Sequence, residues 1–184
     1  DQFANAMMRG VSPEGEHYYP AFPYVSYARM TLNDVADLYA YMKTLPAVAG
    51  VQPDHELPFP FNIRRTLGGW KFLFFSQGPA VEIANATDQV KRGQYLAEGP
   101  GHCGECHTPR GWLGGTDSDY ALSGTPDGPE GDKVPNITPH KETGIGGWER
   151  ADILRVLTTG MRPDGEFVGS GMGEVVSFST SKLT

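Results

Sequence analysis

The sequence predicts an all-α, loop-rich fold, and three observations support this prediction. The chain has 24 glycines and 15 prolines among 184 residues, more than a fifth of the total, which favours long ordered loops. Hydrophobic residues make up 39% of the chain, which is enough for a folded core. Several segments carry the apolar spacing of helices, whereas no segment shows the period of two that is typical of strands.

Four segments combine helical spacing with capping signals. They are residues 3–10, 31–46, 87–99 and 149–159. The first is expected to close at Gly10, the second to begin at the cap Thr31 and to end at Leu45-Pro46. In the last segment, we expect Ile153, Leu154 and Leu157 to face the core.

Two stretches 150 positions apart share one pattern, which indicates an internal repeat. Residues 10–22 and 160–172 align without a gap at a glycine, a proline, an acidic residue, a second glycine and a glutamate. We therefore expect two copies of one domain type. Residues 1–48 would be the C-terminal half of a first domain, 49–86 a linker, and 87–184 a second domain that lacks its last helix.

The net charge of −7 argues against a nucleic-acid partner, because phosphates would repel an acidic chain. No signal peptide is visible, and no apolar run reaches membrane-spanning length. The longest run, residues 70–75, is interrupted by Lys71. We interpret it as part of a packed linker, with docking on a partner or peripheral membrane association as the alternative.

Residues 103–107 read Cys-Gly-Glu-Cys-His, the attachment signature of a c-type haem. On a helical turn Cys103 and Cys106 lie on one face, so both thiols can reach the vinyl groups of one porphyrin edge. His107 lies over the same face, where its imidazole can reach the iron. No second Cys or His cluster is spaced to complete a zinc site, and no βαβ pattern favours a thioredoxin-like pair. We therefore predict one covalently bound haem c with His107 as an iron ligand.

The second iron ligand is predicted to be Met172, which lies in the glycine-rich stretch 169–173 without a helical pattern. Glycines there would let the backbone approach the haem closely. Three alternatives are Met161, which follows a helix and fits a core position, and the loop histidines His140 and His102. Ligation by histidine and methionine leaves no open position and raises the potential, which favours electron transfer over substrate chemistry.

Further motifs surround this site in both copies. They are residues 93–96, 103–108, 136–139, 143–146, 148, 162–165 and 172 in the second copy, and 19–24 and 37–41 in the first. Together they resemble the diheme and triheme cytochrome c subunits of bacterial membrane-bound dehydrogenases, such as those for alcohols and gluconate. The resemblance implies cytochrome c-like domains in which Asn136, Thr138 and Trp148 line the haem; a plain core residue is the alternative for Trp148.

The resemblance also implies a function. The chain would transfer single electrons between a periplasmic dehydrogenase subunit and a quinone- or oxidase-linked acceptor, at the periplasmic face of the inner membrane, and would not itself be an enzyme. Two alternatives remain open. One is a haem enzyme or gas-binding sensor that uses an open iron in the first domain, and the other is a free soluble electron shuttle.

The first copy departs from the family pattern at Phe22, where members usually have methionine. Phenylalanine cannot bind iron, so a first haem, whose attachment motif would lie upstream of Asp1, would be five-coordinate or use another ligand such as His17. A surface or propionate-binding role is the alternative for His17. We expect an apolar wall facing a second haem or another protein surface, with Phe22 at the place of Met172. Its members would be Tyr18, Tyr19, Phe22 and Tyr24.

Overall fold

A computed structural model describes residues 1–51, 53, 55–128 and 131–183 of the chain. Within these ranges extended backbone is limited to isolated bridges, so the all-α class is confirmed. The α-helices are α1 (Gln2–Arg9), α2 (Tyr24–Tyr27), α3 (Leu32–Met42), α4 (Arg64–Phe74), α5 (Asp88–Glu98), α6 (Gly104–His107), α7 (Arg150–Thr159) and α8 (Ser170–Phe178). Short 3-10 turns cover Ser118–Tyr120 and Thr180–Lys182.

The chain divides into two compact units, Asp1–Val134 and Pro135–Thr184. The boundary falls inside the segment expected to be the second domain, and the division into 1–48, 49–86 and 87–184 stays a prediction. No helix in the part of the chain that the structure describes is long and apolar enough to cross a bilayer.

The core of the first unit forms where α1 and α3 meet. Met7, Met30 and Val35 are buried there, with Phe22 and Leu38 packed around them. Other rings and side chains at its edge are Phe3, Ala4, Met8 and Tyr27. As predicted, α1 closes at Gly10 in a left-handed conformation (φ 57°), where the glycine avoids a steric penalty.

Helix α3 begins as predicted and ends earlier than predicted. The Thr31 hydroxyl accepts a hydrogen bond from the Asp34 N–H at 3.1 Å and caps the helix. The helix ends at Met42 because the next residues close as tight turns, with the Leu45 N–H donating to the Met42 carbonyl at 3.2 Å. Leu45 precedes a proline, which disfavours continued helix.

The apolar run 70–75 belongs to α4 and has a packed face and an exposed face. Leu67 and Trp70 are buried, and the Trp70 indole N–H donates to the Leu113 carbonyl at 2.8 Å. Phe72, on the opposite face, is 90% exposed, and Leu73, at the side of the packed face, is also exposed. The interpretation as a packed linker therefore holds for one side of the helix.

Among the residues that the structure describes, one hairpin geometry occurs three times, over residues 10–18, 109–117 and 160–168. Each copy has an isolated antiparallel bridge between residues six positions apart. Each is closed by the same hydrogen bond, from the N–H of the last residue to the carbonyl of the first, at 2.8–2.9 Å. Each also has a glycine with positive φ at the same place, namely Gly15 (89°), Gly114 (77°) and Gly165 (86°). The first and third copies are the two stretches that align in the sequence, and the middle copy shares only that glycine with them. The repeat of a whole domain stays a prediction.

The second unit is built on α7 and α8, which pack against each other and bury Val156 and Val176. The expectation that Leu154 and Leu157 face inward is wrong, because they are 63% and 38% exposed. Ile153 and Val156 occupy the inner face instead. Residues three apart share a helix face, and the leucines lie about 100° further round the axis.

Candidate haem-attachment site

The reversal between α5 and α6 brings Cys103 to the start of α6. Helix α5 begins at its cap Thr87, as predicted, and ends at Gly99. The Gly101 N–H then donates to the Leu96 carbonyl at 2.8 Å and the Cys103 N–H to the Ala97 carbonyl at 2.9 Å. A Cβ atom at Gly101 would lie 2.6 Å from the Leu96 oxygen, so this tight reversal requires glycine.

Cys103, Cys106 and His107 lie on one helical turn, in the arrangement that the spacing predicts. The His107 N–H donates to the Cys103 carbonyl at 3.0 Å and closes the turn. Both thiols are free of a disulfide; Cys103 is half-buried and Cys106 is exposed. Burial raises the pKa of both thiols, and the Glu105 carboxylate raises that of Cys106 further. Both sulfurs are therefore neutral thiols near pH 7.

The donor set of this turn fits a haem c. It offers two protonated thiols on one helical turn and an imidazole directly after the second of them. Over the residues that the structure describes, no group of three His, Cys, Asp or Glu side chains could hold a metal ion.

Glu105, one of the two residues between the cysteines, connects the turn to two other segments. Its carboxylate accepts a hydrogen bond from the Ser26 hydroxyl of α2 at 2.7 Å and pairs with the Arg110 guanidinium. Arg110 also donates to the Gly114 carbonyl of the middle hairpin at 2.8 Å. We refer to residues 103–107 as the attachment turn. It is held by α2 of the first repeat copy and by the middle hairpin, residues 109–117, which follows it in the sequence.

The C-terminal end of α6 is fixed by the segment 122–124. Thr108 is buried, and its hydroxyl accepts a hydrogen bond from the Leu122 N–H at 3.0 Å. The His107 carbonyl accepts one from the Gly124 N–H at 2.7 Å. These bonds satisfy the terminal carbonyl and hold the backbone of His107 in place.

Asn136, Thr138 and Trp148 share one loop of the second unit. The Asn136 side-chain carbonyl accepts from the Thr138 N–H at 2.7 Å. The Thr138 carbonyl accepts from the Ile145 N–H at 2.9 Å, and the Ile145 carbonyl from the Trp148 N–H at 3.0 Å. All three predicted side chains are half-buried. The backbone of the loop therefore brings them together, and their contact with a haem stays a prediction.

Two glycines allow this loop to close on itself. A Cβ atom at Gly144 would lie 2.2 Å from the Thr138 oxygen, and one at Gly146 would lie 2.0 Å from the Pro139 oxygen. Neither neighbour is a flexible side-chain end, so any other residue would force the backbone apart. The two glycines within residues 143–146, one of the motifs that carry the family resemblance, thus have a steric reason.

Met172 lies inside a helix, which corrects the expectation of an irregular stretch. Helix α8 begins at Ser170, Gly169 is its N-terminal flanking residue, and Met172 is half-buried in the first turn. Glycines disfavour helix, but burial of Val176 against α7 overrides that local preference. The proposed role of Met172 does not depend on a flexible backbone.

The alternative iron ligands have neighbours of their own within their units. Met161 is half-buried and bridges Phe167 in the third hairpin. His140 is exposed, and its Nδ1 lies 3.1 Å from the Thr143 hydroxyl. His102 stacks edge-on against Tyr27, with 5.7 Å between the ring centroids. Each contact gives these residues a local structural role.

Sequence reasoning missed the partners of a half-buried lysine. The Lys71 ammonium donates to the Arg9 and Gly10 carbonyls at 2.5 and 2.7 Å, and lies 3.2 Å from Nδ1 of His17. Burial lowers the pKa of Lys71 to about 8, and burial together with Lys71 lowers the pKa of His17. The lysine that interrupts the apolar run 70–75 was the available signal, because a charge in such a run has to find partners.

The aromatic residues of the first copy divide into two groups. Tyr24 is fully buried within this chain, between Lys71 and Phe75. The expectation that its ring belongs to an open apolar wall is therefore wrong. Tyr18, Tyr19 and Phe22 are half-buried. Phe22 packs on the core of the first unit and lies in a turn, whereas Met172 lies in a helix.

Comparison with known proteins supports the motif analysis. No protein-family model matches the chain. It is 47% identical over 97% of its length to a diheme cytochrome c-type protein of Cereibacter sphaeroides. It is 35% identical over 98% of its length to the cytochrome c subunit of an alcohol dehydrogenase (quinone) of Gluconobacter oxydans. It is also 35% identical, over 100% of its length, to the gluconate 2-dehydrogenase cytochrome c subunit of Pantoea cypripedii.

The chain spans 58% of the first of these proteins and 39% and 43% of the other two. The aligned part thus includes both repeat copies and the Cys-x-x-Cys-His turn of this chain. The resemblance expected from the motifs is confirmed: the chain is a homologue of diheme cytochrome c and of the cytochrome c subunits of bacterial dehydrogenases.

Proposed function

We propose that the chain is an electron-transfer protein that binds haem c through Cys103 and Cys106, with His107 as an axial ligand. The observation that carries the proposal is the helical turn with Cys103, Cys106 and His107, in a homologue of cytochrome c subunits. A bound haem iron would take up and release one electron at a time. The side chains of this chain would hold the haem in position and shield it from solvent.

The attachment turn would hold the haem edge in a fixed position. Glu105 is bound from both sides, by Ser26 and by Arg110, so the segment between the two thioether bonds has little freedom to rotate. Hydrogen bonds at the end of α6 fix the backbone of His107. A rigid frame reduces the rearrangement that accompanies each change of charge, which favours rapid electron transfer.

Met172 is proposed as the second axial ligand of the same iron. A methionine thioether favours the reduced state and raises the potential, and a filled sixth position excludes oxygen and substrates. Support comes from the sequence context of Met172 in a homologue of cytochrome c subunits. We propose in addition that Asn136, Thr138 and Trp148 line the haem, since one loop backbone holds these three half-buried residues.

The partner is proposed to be the catalytic subunit of a periplasmic dehydrogenase, with a quinone- or oxidase-linked acceptor downstream. The names of two relatives, an alcohol and a gluconate dehydrogenase cytochrome c subunit, support this assignment. The net charge of −7 favours a basic docking face on at least one partner. The chain itself would carry no catalytic group, and the whole protein would carry at least one haem more than this site provides, as the name of its diheme relative suggests.

The test is covalent haem attachment in the full-length protein expressed with a haem-attachment system. Haem staining of a denaturing gel and the intact mass should show haem bound to the peptide that contains Cys103 and Cys106. The double variant Cys103→Ala/Cys106→Ala should lose the haem of that peptide, whereas Ser26→Ala should keep it. Zinc in place of iron, or free thiols in the wild-type peptide, would refute the proposal.

A further inference from the structure

The Glu105 carboxylate is a negative charge on the attachment turn that is largely shielded from water. Its side chain is 15% exposed, and it pairs with the Arg110 guanidinium, whose side chain is 38% exposed. The Ser26 hydroxyl donates a hydrogen bond to the same carboxylate at 2.7 Å. Acidic side chains are rarely withdrawn from water to this degree, because the desolvation of a charge costs free energy. The position of Glu105 therefore calls for a reason other than solubility.

The Arg110 guanidinium is fixed beside the same turn by three acceptors. One is the Glu105 carboxylate, the second is the Glu105 backbone carbonyl at 3.1 Å, and the third is the Gly114 carbonyl at 2.8 Å. Two of these acceptors are backbone groups, so the guanidinium cannot leave the turn without breaking hydrogen bonds to the main chain. One negative and one positive charge are thus held in fixed positions next to Cys106.

Both charges act on the sulfur of Cys106, the residue that directly follows Glu105. Burial is the largest cause that raises the pKa of this thiol. Glu105 raises it further, and Arg110 lowers it by a smaller amount. The net field of the pair is therefore negative at the atom that would bond to the haem.

The hydrogen bonds around this position do not by themselves require a charge. A glutamine in place of Glu105 has an amide oxygen that could accept from both the Ser26 hydroxyl and the Arg110 guanidinium. Such an amide would avoid the desolvation of a carboxylate. The charge is thus the property that distinguishes Glu105 from a neutral side chain of the same shape.

We propose that Glu105 and Arg110 set the reduction potential of the haem bound at Cys103 and Cys106, with Glu105 lowering it and Arg110 opposing that effect. This inference rests on the proposed function. The oxidised haem carries one more positive charge than the reduced haem. A negative charge nearby therefore stabilises the oxidised form, and a positive charge stabilises the reduced form.

The low exposure of Glu105 makes its charge effective. Water and salt screen an exposed carboxylate strongly and a largely buried one much less. The thioether of Met172, as the proposed axial ligand, would raise the potential. Glu105 would lower it again and so make the haem a better electron donor to its acceptor.

The experiment is a redox titration of the full-length holoprotein, followed by absorbance. Glu105→Gln removes the negative charge and keeps the shape, so it should raise the midpoint potential of one haem and leave any other unchanged. Arg110→Gln removes the positive charge and should lower the same midpoint potential. The double variant should lie between the two single variants. Opposite signs are the signature of charge, because a loosened site that admits water would shift both single variants in the same direction.

Three control variants separate charge from structure. Glu105→Asp and Arg110→Lys keep their charges and should stay closer to the wild-type potential than the glutamine variants do. Asp88→Asn removes the same charge as Glu105→Gln, but from an exposed side chain. Asp88 begins α5, about 15 Å along the helix axis from the end that leads to Cys103, so its loss should leave every midpoint potential unchanged.

The outcomes distinguish this inference from the proposed function. Haem content should equal that of the wild type in every variant. An unchanged or lowered potential in Glu105→Gln would overturn the inference, and so would shifts of the same sign in Glu105→Gln and Arg110→Gln. Absence of covalent haem from the Cys103–Cys106 peptide of the wild type would instead refute the proposed function.

Discussion

The first and third hairpins have the same backbone and different surroundings. Both close with the hydrogen bond from their last N–H to their first carbonyl, at 2.8 Å over residues 10–18 and 2.9 Å over 160–168. In the first, the bridging residue His17 contacts the half-buried Lys71; in the third, its counterpart Phe167 is 64% exposed. The hairpin therefore depends on its own glycines and hydrogen bonds, and not on what packs against it.

The segments that follow these hairpins have diverged. Pro20 and Pro23 confine the first copy to the four-residue helix α2, because proline lacks an N–H and restricts the residue before it. The third copy continues into the nine-residue α8, which carries Met172. The same hairpin thus precedes Phe22, a packing residue, in the first copy and Met172, the proposed iron ligand, in the third.

The largest expected effect concerns Met172, the proposed iron ligand that follows the third hairpin and has no counterpart after the first. Met172→Ala should open the sixth position, so that the ferrous protein binds carbon monoxide rapidly and its midpoint potential falls by a measurable part of the ~0.8 V range that axial ligands control. Met161→Leu, in the third hairpin, should change neither property. Rapid carbon monoxide binding at this haem in the wild type would assign the site to a sensor or an enzyme.

A difference in stability should follow from the glycines that open the two hairpins. Gly160→Ala places a Cβ atom 3.4 Å from Val168 and should cost about 1–2 kcal/mol in unfolding free energy for the left-handed conformation alone. Gly10→Ala places it 2.3 Å from the fully buried ring of Tyr24 and should cost about 1–3 kcal/mol more. Urea titration of both variants measures the difference. Equal losses would mean that the Tyr24 ring can move aside.

The smallest expected effect concerns pH. Burial and Lys71 lower the pKa of His17 in the folded state below 6.5, so the unfolded chain binds more protons between the two values. Stability should therefore fall as the pH drops from about 6.5 through the folded pKa of His17. His17→Phe, which copies the third hairpin, should flatten this part of the stability curve.

Phe167→His is the matched control for that experiment. It places a histidine at the equivalent, exposed position and should add no comparable pH dependence. An unchanged curve in His17→Phe would show that another group titrates in this range. The measurement is the urea midpoint at intervals between pH 5 and 7.

Local features could be predicted from the sequence because short segments encode them. The cap at Thr31, the helix end at Gly10 and the turn that carries Cys103 and His107 each depend on residues within one or two helical turns. The repeat between the first and third hairpins was visible because proline, an acidic residue and glutamate accompany the glycine in both copies.

Features that depend on tertiary packing could not be predicted in this way. Helix α8 forms over a glycine-rich stretch because Val176 is buried against α7, and local propensity contains no sign of that contact. The Ser26–Glu105 hydrogen bond joins residues 79 positions apart. The partners of Lys71 come from α1 and the first hairpin, which no spacing rule within residues 70–75 could identify.

The middle hairpin shows how little sequence this geometry demands. Arg-Gly-Trp-Leu-Gly-Gly-Thr adopts the fold of Val-Ser-Pro-Glu-Gly-Glu-His, and one left-handed glycine is all that the two share. Its tip residue Trp112 is 94% exposed, and backbone hydrogen bonds close the loop together with one from the Arg110 guanidinium to the Gly114 carbonyl. Natural variation can therefore alter the exposed tip of this loop beside the attachment turn at little cost to folding, as long as two glycines are retained. They are Gly114, which has a positive φ, and Gly115, where a Cβ atom would lie 2.3 Å from the Phe74 ring.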